Sequence, residues 1–202
     1  MDAGGRRVIT VCFHGAESTG KSVLARALSQ RFGWPWVPEF GREYCEAKFA
    51  RTSSTDLTMN DLLAIAQGQD KAARQAAAAN PPLLLLDTDP LMTAAWTEML
   101  FGEVPPVLLA YPKADHYLLF APDVPWIADG SRFFGEPIER GLFAEAAEAM
   151  LHRAGVPFTR IGGDWASREA AVLAAIKKLR SPLPLAGGAG GGQAVRIDSE
   201  PR

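Results

Sequence analysis

Cysteine is scarce in these 202 residues, with Cys12 and Cys45 the two present. They show no metal-ligand spacing, so no metal site or partner histidine is expected near either thiol, and both suit a reducing cytosol. Long apolar runs are missing too. The longest, PPLLLLD at 81–87, is far too short to span a bilayer, and MDAGGRR at 1–7 lacks the apolar stretch of a secretory signal. A cytoplasmic protein with no membrane partner is expected. No basic run carries interleaved aromatics and the net charge is −2, which disfavours nucleic acid as the partner and leaves a small polar ligand. There is no internal repeat, and the sequence leaves a homo-oligomer open.

What is present is an alternation. About half the residues are apolar (48%), enough for one well-cored domain. Residues 8–13 (VITVCF) are β-rich and end at a glycine turn; a helix over 21–32 follows, with Val23, Leu24, Ala27, Leu28 and Phe32 on its inner face. A short strand at 36–38 leads to a loop and helix in which Tyr44, Ala47 and Phe49 point partly inward. Thr58 can cap a helix over 59–79 that stops at Asn80 and Pro81–Pro82. LLLLD, residues 83–87, does not alternate, so it is a strand buried on both faces. Asp89 with Pro90 starts a helix that Gly102 ends. A strand at 116–121, a long polar segment at 122–141, a helix from Leu142, a strand at 158–163 and a helix from Ser167 complete the order. Strands alternating with helices give an α/β fold with an open, mostly parallel five-stranded sheet. Residues 1–7 form a flexible start, 8–180 the domain, and 181–202 a Gly/Pro-rich disordered tail.

The chemistry starts at Gly15, Ala16, Glu17, Ser18, Thr19, Gly20, Lys21 and Ser22, which match GxxxxGK[ST] between a strand and a helix. Average residue usage yields that pattern by chance in roughly 1% of chains this long, and fewer place it between those two elements. Backbone N–H groups of such a loop curl around a β-phosphate, Lys21 neutralises β/γ oxygens, and the Ser22 hydroxyl reaches Mg²⁺. Asp87, closing the buried strand, is the carboxylate placed to support that metal, because a buried carboxylate needs a partner to offset its desolvation. Asp89 reads equally as a cap for the helix that Pro90 begins. These parts establish a Mg–nucleotide site, and GTPases, ATPases and kinases all share them.

An acceptor has to come from other strand ends. Glu39 and Arg42 in PEFGREY sit at a loop-to-helix junction, where a carboxylate can take a hydroxyl proton and a guanidinium can brace it; a surface i,i+3 pair is the competing account. The segment at 122–141 carries Asp123, Trp126, Asp129, Arg132 and Arg140 and is too long and polar for a plain connector. A lid that excludes water and brings Arg132 onto a migrating phosphoryl group fits it, with Trp126 stacking on a flat ring and Arg140 either in the lid or at the start of a helix. Asp164, after the last strand, lies where an adenine edge rests in such folds, or caps the final helix.

Taken together, GAESTGKS, VPEFGREY, IAQGQ, LLLLDTDPLMTAAW, YLLFAPDVPWIADGSRFFG and GDWASR resemble the ribosylnicotinamide kinase domain of the NadR family, a P-loop small-molecule kinase of AAA-like ATPase type. The likeness runs over residues 8–180. It implies a nucleoside- or nucleotide-kinase-like P-loop NTPase fold with a lid loop, and an ATP- and Mg²⁺-dependent kinase that converts nicotinamide riboside to its mononucleotide at the ribose 5′-hydroxyl. Carried onto this chain, it implies that Lys21 and Ser22 hold phosphates and Mg²⁺, that Asp87 supports the metal, and that Glu39 and Arg42 face the acceptor. Trp126 and Asp129 then cover the substrate and Arg132 is the lid arginine. Glu39 and Asp87 both qualify as base, with Glu39 favoured because Asp87 is better placed for the metal. Full-length relatives also carry a DNA-binding segment and a nucleotidyltransferase domain; with seven residues before the first strand, neither is expected here. Another nucleoside as acceptor, or a P-loop ATPase switch acting on a protein partner, are the alternatives.

Overall fold

The computed structural model describes residues 7–125 and 136–180. The expected flexible start, the tail at 181–202, and Trp126, Asp129 and Arg132 lie outside the described residues, save for Arg7.

The alternation folds as an open parallel sheet. β1 (Ile9–Gly15), β2 (Trp36–Val37), β3 (Leu83–Asp87), β4 (His116–Phe120) and β5 (Phe158–Ile161) lie in the order β2-β3-β1-β4-β5, all pairs parallel. β1 and β3 are central, and their register sets Phe13 beside Asp87. That pairing is why the loop after β1 and the carboxylate ending β3 meet at the same sheet edge. All five β3 residues are buried, as the unbroken apolar run requires.

Helices cover both faces. On one, α1 (Lys21–Phe32) and α7 (Trp165–Arg180) pack over Val11, Phe13, Leu85, Leu118 and Ile161. On the other, α3 (Met59–Ala77) and the end of α6 (Pro137–Arg153) cover Leu84, Leu86, Tyr117 and Leu119. α4 (Pro90–Phe101) is pinned against α6 through Met92, Ala95, Phe143 and Met150. The helix signals hold where they rest on caps. Thr58 and Asp61 form a reciprocal capping box at α3; the Asp89 carboxylate accepts from Leu91 N–H with Pro90 in the first turn of α4; Gly102 closes α4 in left-handed conformation.

Several expectations need correction. α1 buries Leu24, Ala25 and Leu28, whereas Val23 and Ala27 face solvent and Phe32 lies at the surface, stacked on Trp34. α2 (Phe40–Thr52) buries no residue fully: Tyr44 is half-buried, but Ala47 and Phe49 are exposed, because the helix rides on α3 at the rim rather than on the sheet. α6 starts at Pro137, five residues before Leu142, since Pro137 supplies a favourable first turn and Arg140 finds buried partners. α7 starts at Trp165, two residues before Ser167, and α5 (Pro106–Ala110) is a short helix that the sequence pattern did not indicate.

Candidate active site

The phosphate loop is shaped by backbone geometry. Gly15 has φ +122°, and a Cβ there would lie 2.6 Å from the Phe120 carbonyl oxygen, so only glycine lets the loop leave β1 against β4. Gly20 has φ +86° and precedes α1 as an N-cap residue with no side chain to cap it. The start of the helix and the loop line a cavity of about 290 Å³, through Gly15, Glu17, Ser18, Thr19, Gly20, Lys21 and Ser22. Ala16 is fully buried beneath it. Lys21 is itself buried, and its ammonium donates to the Gly15 and Ala16 carbonyls at 2.7 and 2.6 Å, which holds a positive charge in the loop.

Two arginines that the motif does not include brace this loop. Arg168 of α7 is fully buried; its guanidinium donates to the carbonyls of Thr19 (3.1 Å), Ala121 (3.2 Å) and Gly163 (2.9 Å) and pairs with Asp123. Arg140 donates to the Ser18 and Val124 carbonyls. Asp123 also accepts from Gly163 N–H at 2.7 Å, tying the chain after β4 to the turn after β5. Asp164 accepts from Ser167 N–H at 2.8 Å, the capping alternative, and lines neither cavity described here.

Beside the loop is a narrower pocket of about 50 Å³. Its walls include Glu39, Arg42, Cys45, Ile65, Gln69, Thr88, Met92 and Trp96. Glu17, Glu39, Arg42, Thr88, Met92 and Trp96 line both spaces, so the two are continuous. Glu39 and Arg42, three residues apart at the start of α2, both line the two spaces, with Arg42 exposed. Trp96 was not singled out by sequence reasoning. It follows Met92 by four residues, one turn on the same face of α4, and that spacing is the signal that marks it. Trp165, likewise missed, rests against Gly20, where a Cβ would come within 2.8 Å of its ring.

Asp87, next to the Thr88 that lines both spaces, has 1% exposure, and one of its carboxylate oxygens is buried without a hydrogen-bond partner. Burial, then the nearby Glu39 charge, push its pKa up to about 6, opposed by the Ser22 hydroxyl bonded to it and by Lys21 and Arg42. An orphaned hard oxygen beside a serine hydroxyl is a donor set that suits Mg²⁺, and the fit to that ion is good.

Asp89 belongs to the core instead. Its carboxylate accepts from Leu91 N–H and from the Tyr117 hydroxyl, and burial pushes its pKa up to about 6. Contrary to the expectation of no histidine near Cys12, the Cys12 thiol, the His14 ring and Asp89 bring ligand atoms within 4.8 Å of one another. Alternation along β1 puts Cys12 and His14 on one face. Cys12 donates to the Phe13 carbonyl, and His14 Nε2 donates to the Ala147 carbonyl at 2.9 Å. Neither residue lines the two cavities, so this grouping is a packed polar knot beneath α4 and α6.

With the geometry in place, the relatives are informative. Residues 10–168 match the family model described as an AAA domain. The chain belongs to that AAA-domain family. Within it, the AAA domain is a homologue of NadR: it is 28% identical over 159 residues to the trifunctional NAD biosynthesis/regulator protein NadR of Escherichia coli (strain K12), covering 76% of this chain and 38% of that protein. The NadR of Salmonella typhimurium gives the same identity and coverage. A crystal structure of NadR in complex with NR superposes with a TM-score of 0.70 at 25% identity, covering 85% of this chain and 51% of that one. Deoxyadenosine kinase from M. mycoides shares the fold alone, at 11% identity and a TM-score of 0.58 over 84% of this chain and all of that one. The fold is therefore that of the P-loop kinases. The chain spans about two-fifths of the length of its curated relatives.

Proposed function

We propose that this AAA domain is an ATP- and Mg²⁺-dependent kinase that transfers the γ-phosphoryl group to the ribose 5′-hydroxyl of nicotinamide riboside, giving nicotinamide mononucleotide. The observation that carries the reading is the continuity of the two spaces: the Glu39–Arg42 pair and Trp96 of one look directly onto the phosphate loop of the other. Homology to NadR, a NAD biosynthesis/regulator protein, and likeness to its NR-bound structure support nicotinamide riboside as the acceptor.

In this mechanism the triphosphate lies in the phosphate loop, its β-phosphate at the positive N-terminal end of α1. Lys21, already held on the loop's carbonyls, turns its charge to the β/γ oxygens. Ser22 and Asp87 would hold Mg²⁺, which when bound neutralises charge on the phosphate oxygens. Glu39 accepts the 5′-hydroxyl proton as the oxygen attacks phosphorus, ADP leaves, and Arg42 balances charge beside the transferring group. Asp87 is the poorer base, since its carboxylate is the one assigned to the metal with Ser22. Trp96 offers a ring face in the acceptor pocket. Trp126, Asp129 and Arg132 complete the proposal as the covering segment, and ATP is the donor.

The test is a panel of nucleosides incubated with pure protein, ATP and Mg²⁺, read by mass spectrometry. Nicotinamide mononucleotide and ADP in equal amounts are expected. Phosphorylation of a different nucleoside alone replaces the acceptor. Steady ATP hydrolysis indifferent to every nucleoside replaces the kinase with an ATPase switch.

A further inference from the structure

Two junctions that wall the acceptor pocket come from different parts of the chain. One is the β2–α2 junction, with Glu39; the other is the β3–α4 junction, where Thr88 follows Asp87. Their separation decides whether a hydroxyl lying against Glu39 also lies in line with a phosphate held above Asp87. Gln69 of α3 touches both. It is 2% exposed, its Oε1 accepts from Phe40 N–H at 2.7 Å, and its Nε2 donates to the Thr88 carbonyl at 3.3 Å.

Those partners leave the amide a single orientation. A backbone N–H only donates and a carbonyl only accepts, so the oxygen must face Phe40 and the nitrogen must face Thr88. The contact at Phe40 has a second effect. Phe40 opens α2, and its N-cap residue, Glu39, makes no side-chain capping bond. Gln69 supplies an acceptor for that first helical N–H from outside the helix, and Glu39 lines the pocket beside it. At the other end, Thr88 has φ +72°, a left-handed conformation costly for a β-branched residue, and the Gln69 amide is one of the contacts that keep its carbonyl in place. The neighbouring Gly68 makes the approach feasible: a Cβ there would lie 2.2 Å from the Phe40 ring, so only glycine lets α2 start this close to α3.

We propose that Gln69 is a positioning residue for phosphoryl transfer: by bridging Phe40 N–H and the Thr88 carbonyl it fixes the distance between the Glu39 loop and the Asp87 loop. This rests on the kinase reading above for its catalytic consequence, and on geometry alone for the bridge. Gln69→Glu keeps the volume and the acceptor at Phe40 but sets a carboxylate oxygen against the Thr88 carbonyl; Gln69→Leu removes both contacts.

Each variant is to be compared with the native chain for kcat and KM on the nucleoside that the native protein phosphorylates, for ATP affinity by fluorescent-analogue titration, and for amide exchange by NMR. The expected result is a fall in kcat of at least tenfold in both variants, with ATP affinity within twofold, and a Phe40 amide that is protected in the native chain and exchanges at least tenfold faster in Gln69→Leu. Unchanged kcat in Gln69→Glu, or a parallel loss of ATP affinity, overturns it. So does a Phe40 amide that exchanges freely in the native chain, a measurement that requires no variant to fold. Should the native protein phosphorylate no nucleoside, the kinase reading fails by itself, and the Phe40 exchange comparison still decides the bridge.

Discussion

At the scale of single residues, the site is a set of charges whose neighbours decide what they do. Glu39→Gln is expected to lower kcat by about 10²–10⁴, the usual worth of a general base, with ATP affinity nearly unchanged in an equilibrium titration. Lys21→Ala should weaken ATP binding and turnover with every acceptor, because it removes the cation that the loop carbonyls hold in place. His14 supplies a pH prediction. Burial lowers its pKa from 6.5 to about 3, partly offset by its bond to Ala147, so the folded chain keeps it neutral where the unfolded chain takes a proton. Its contribution is therefore intact above pH 6.5 and is lost as pH falls from there towards 3. Up to about 1.4 kcal/mol per pH unit is at stake across that window. The buried, raised-pKa Asp87 and Asp89 act in the opposite direction, so the comparison of urea midpoints at pH 7 and pH 4.5 must be made against His14→Gln. The variant should lose less stability than the native chain over that interval.

At the scale of elements, caps and glycines were the legible features because they act through the backbone over a few residues. Thr58, Asp89 and Gly102 each occur where the chain needs an acceptor or a left-handed turn, and each stands where the pattern put it. Thr58→Ala should cost about 1 kcal/mol in denaturant unfolding, by removing half of the α3 capping box. Apolar spacing was a poorer guide to faces. Val23 and Ala27 fit the period of α1, yet that helix buries only a narrow stripe, since the start of its other side belongs to the phosphate site. α2 misled for the same kind of reason: a helix that leans on another helix at the rim has no wide apolar face for a period to reveal. Pro137 in a polar stretch reads as loop from composition alone, but at a first turn proline fits a helix well.

At the scale of the whole molecule, strand order does the assembling. With β1 and β3 adjacent at the centre, the phosphate loop and Asp87 come to the same edge although some 70 residues lie between them. Arg168 then ties the loop to the ends of β4 and β5 through the Thr19, Ala121 and Gly163 carbonyls. Arg168→Met should cost about 3 kcal/mol or more in thermal or denaturant unfolding and weaken ATP binding with it, because it strands several buried carbonyls at once. The sequence by itself determined the fold class, the phosphate loop and the buried strand that ends in Asp87, all of which follow from contiguous stretches whose backbone needs are local. Only the tertiary structure decided that the Glu39 and phosphate-loop spaces are one, that Trp96, Trp165, Gln69 and Arg168 adjoin them, and that Asp89 and Asp123 are held by the fold. Those facts depend on which strand ends lie side by side and on which buried polar atom finds a partner across the sheet, and neither is written in the spacing of residues along the chain.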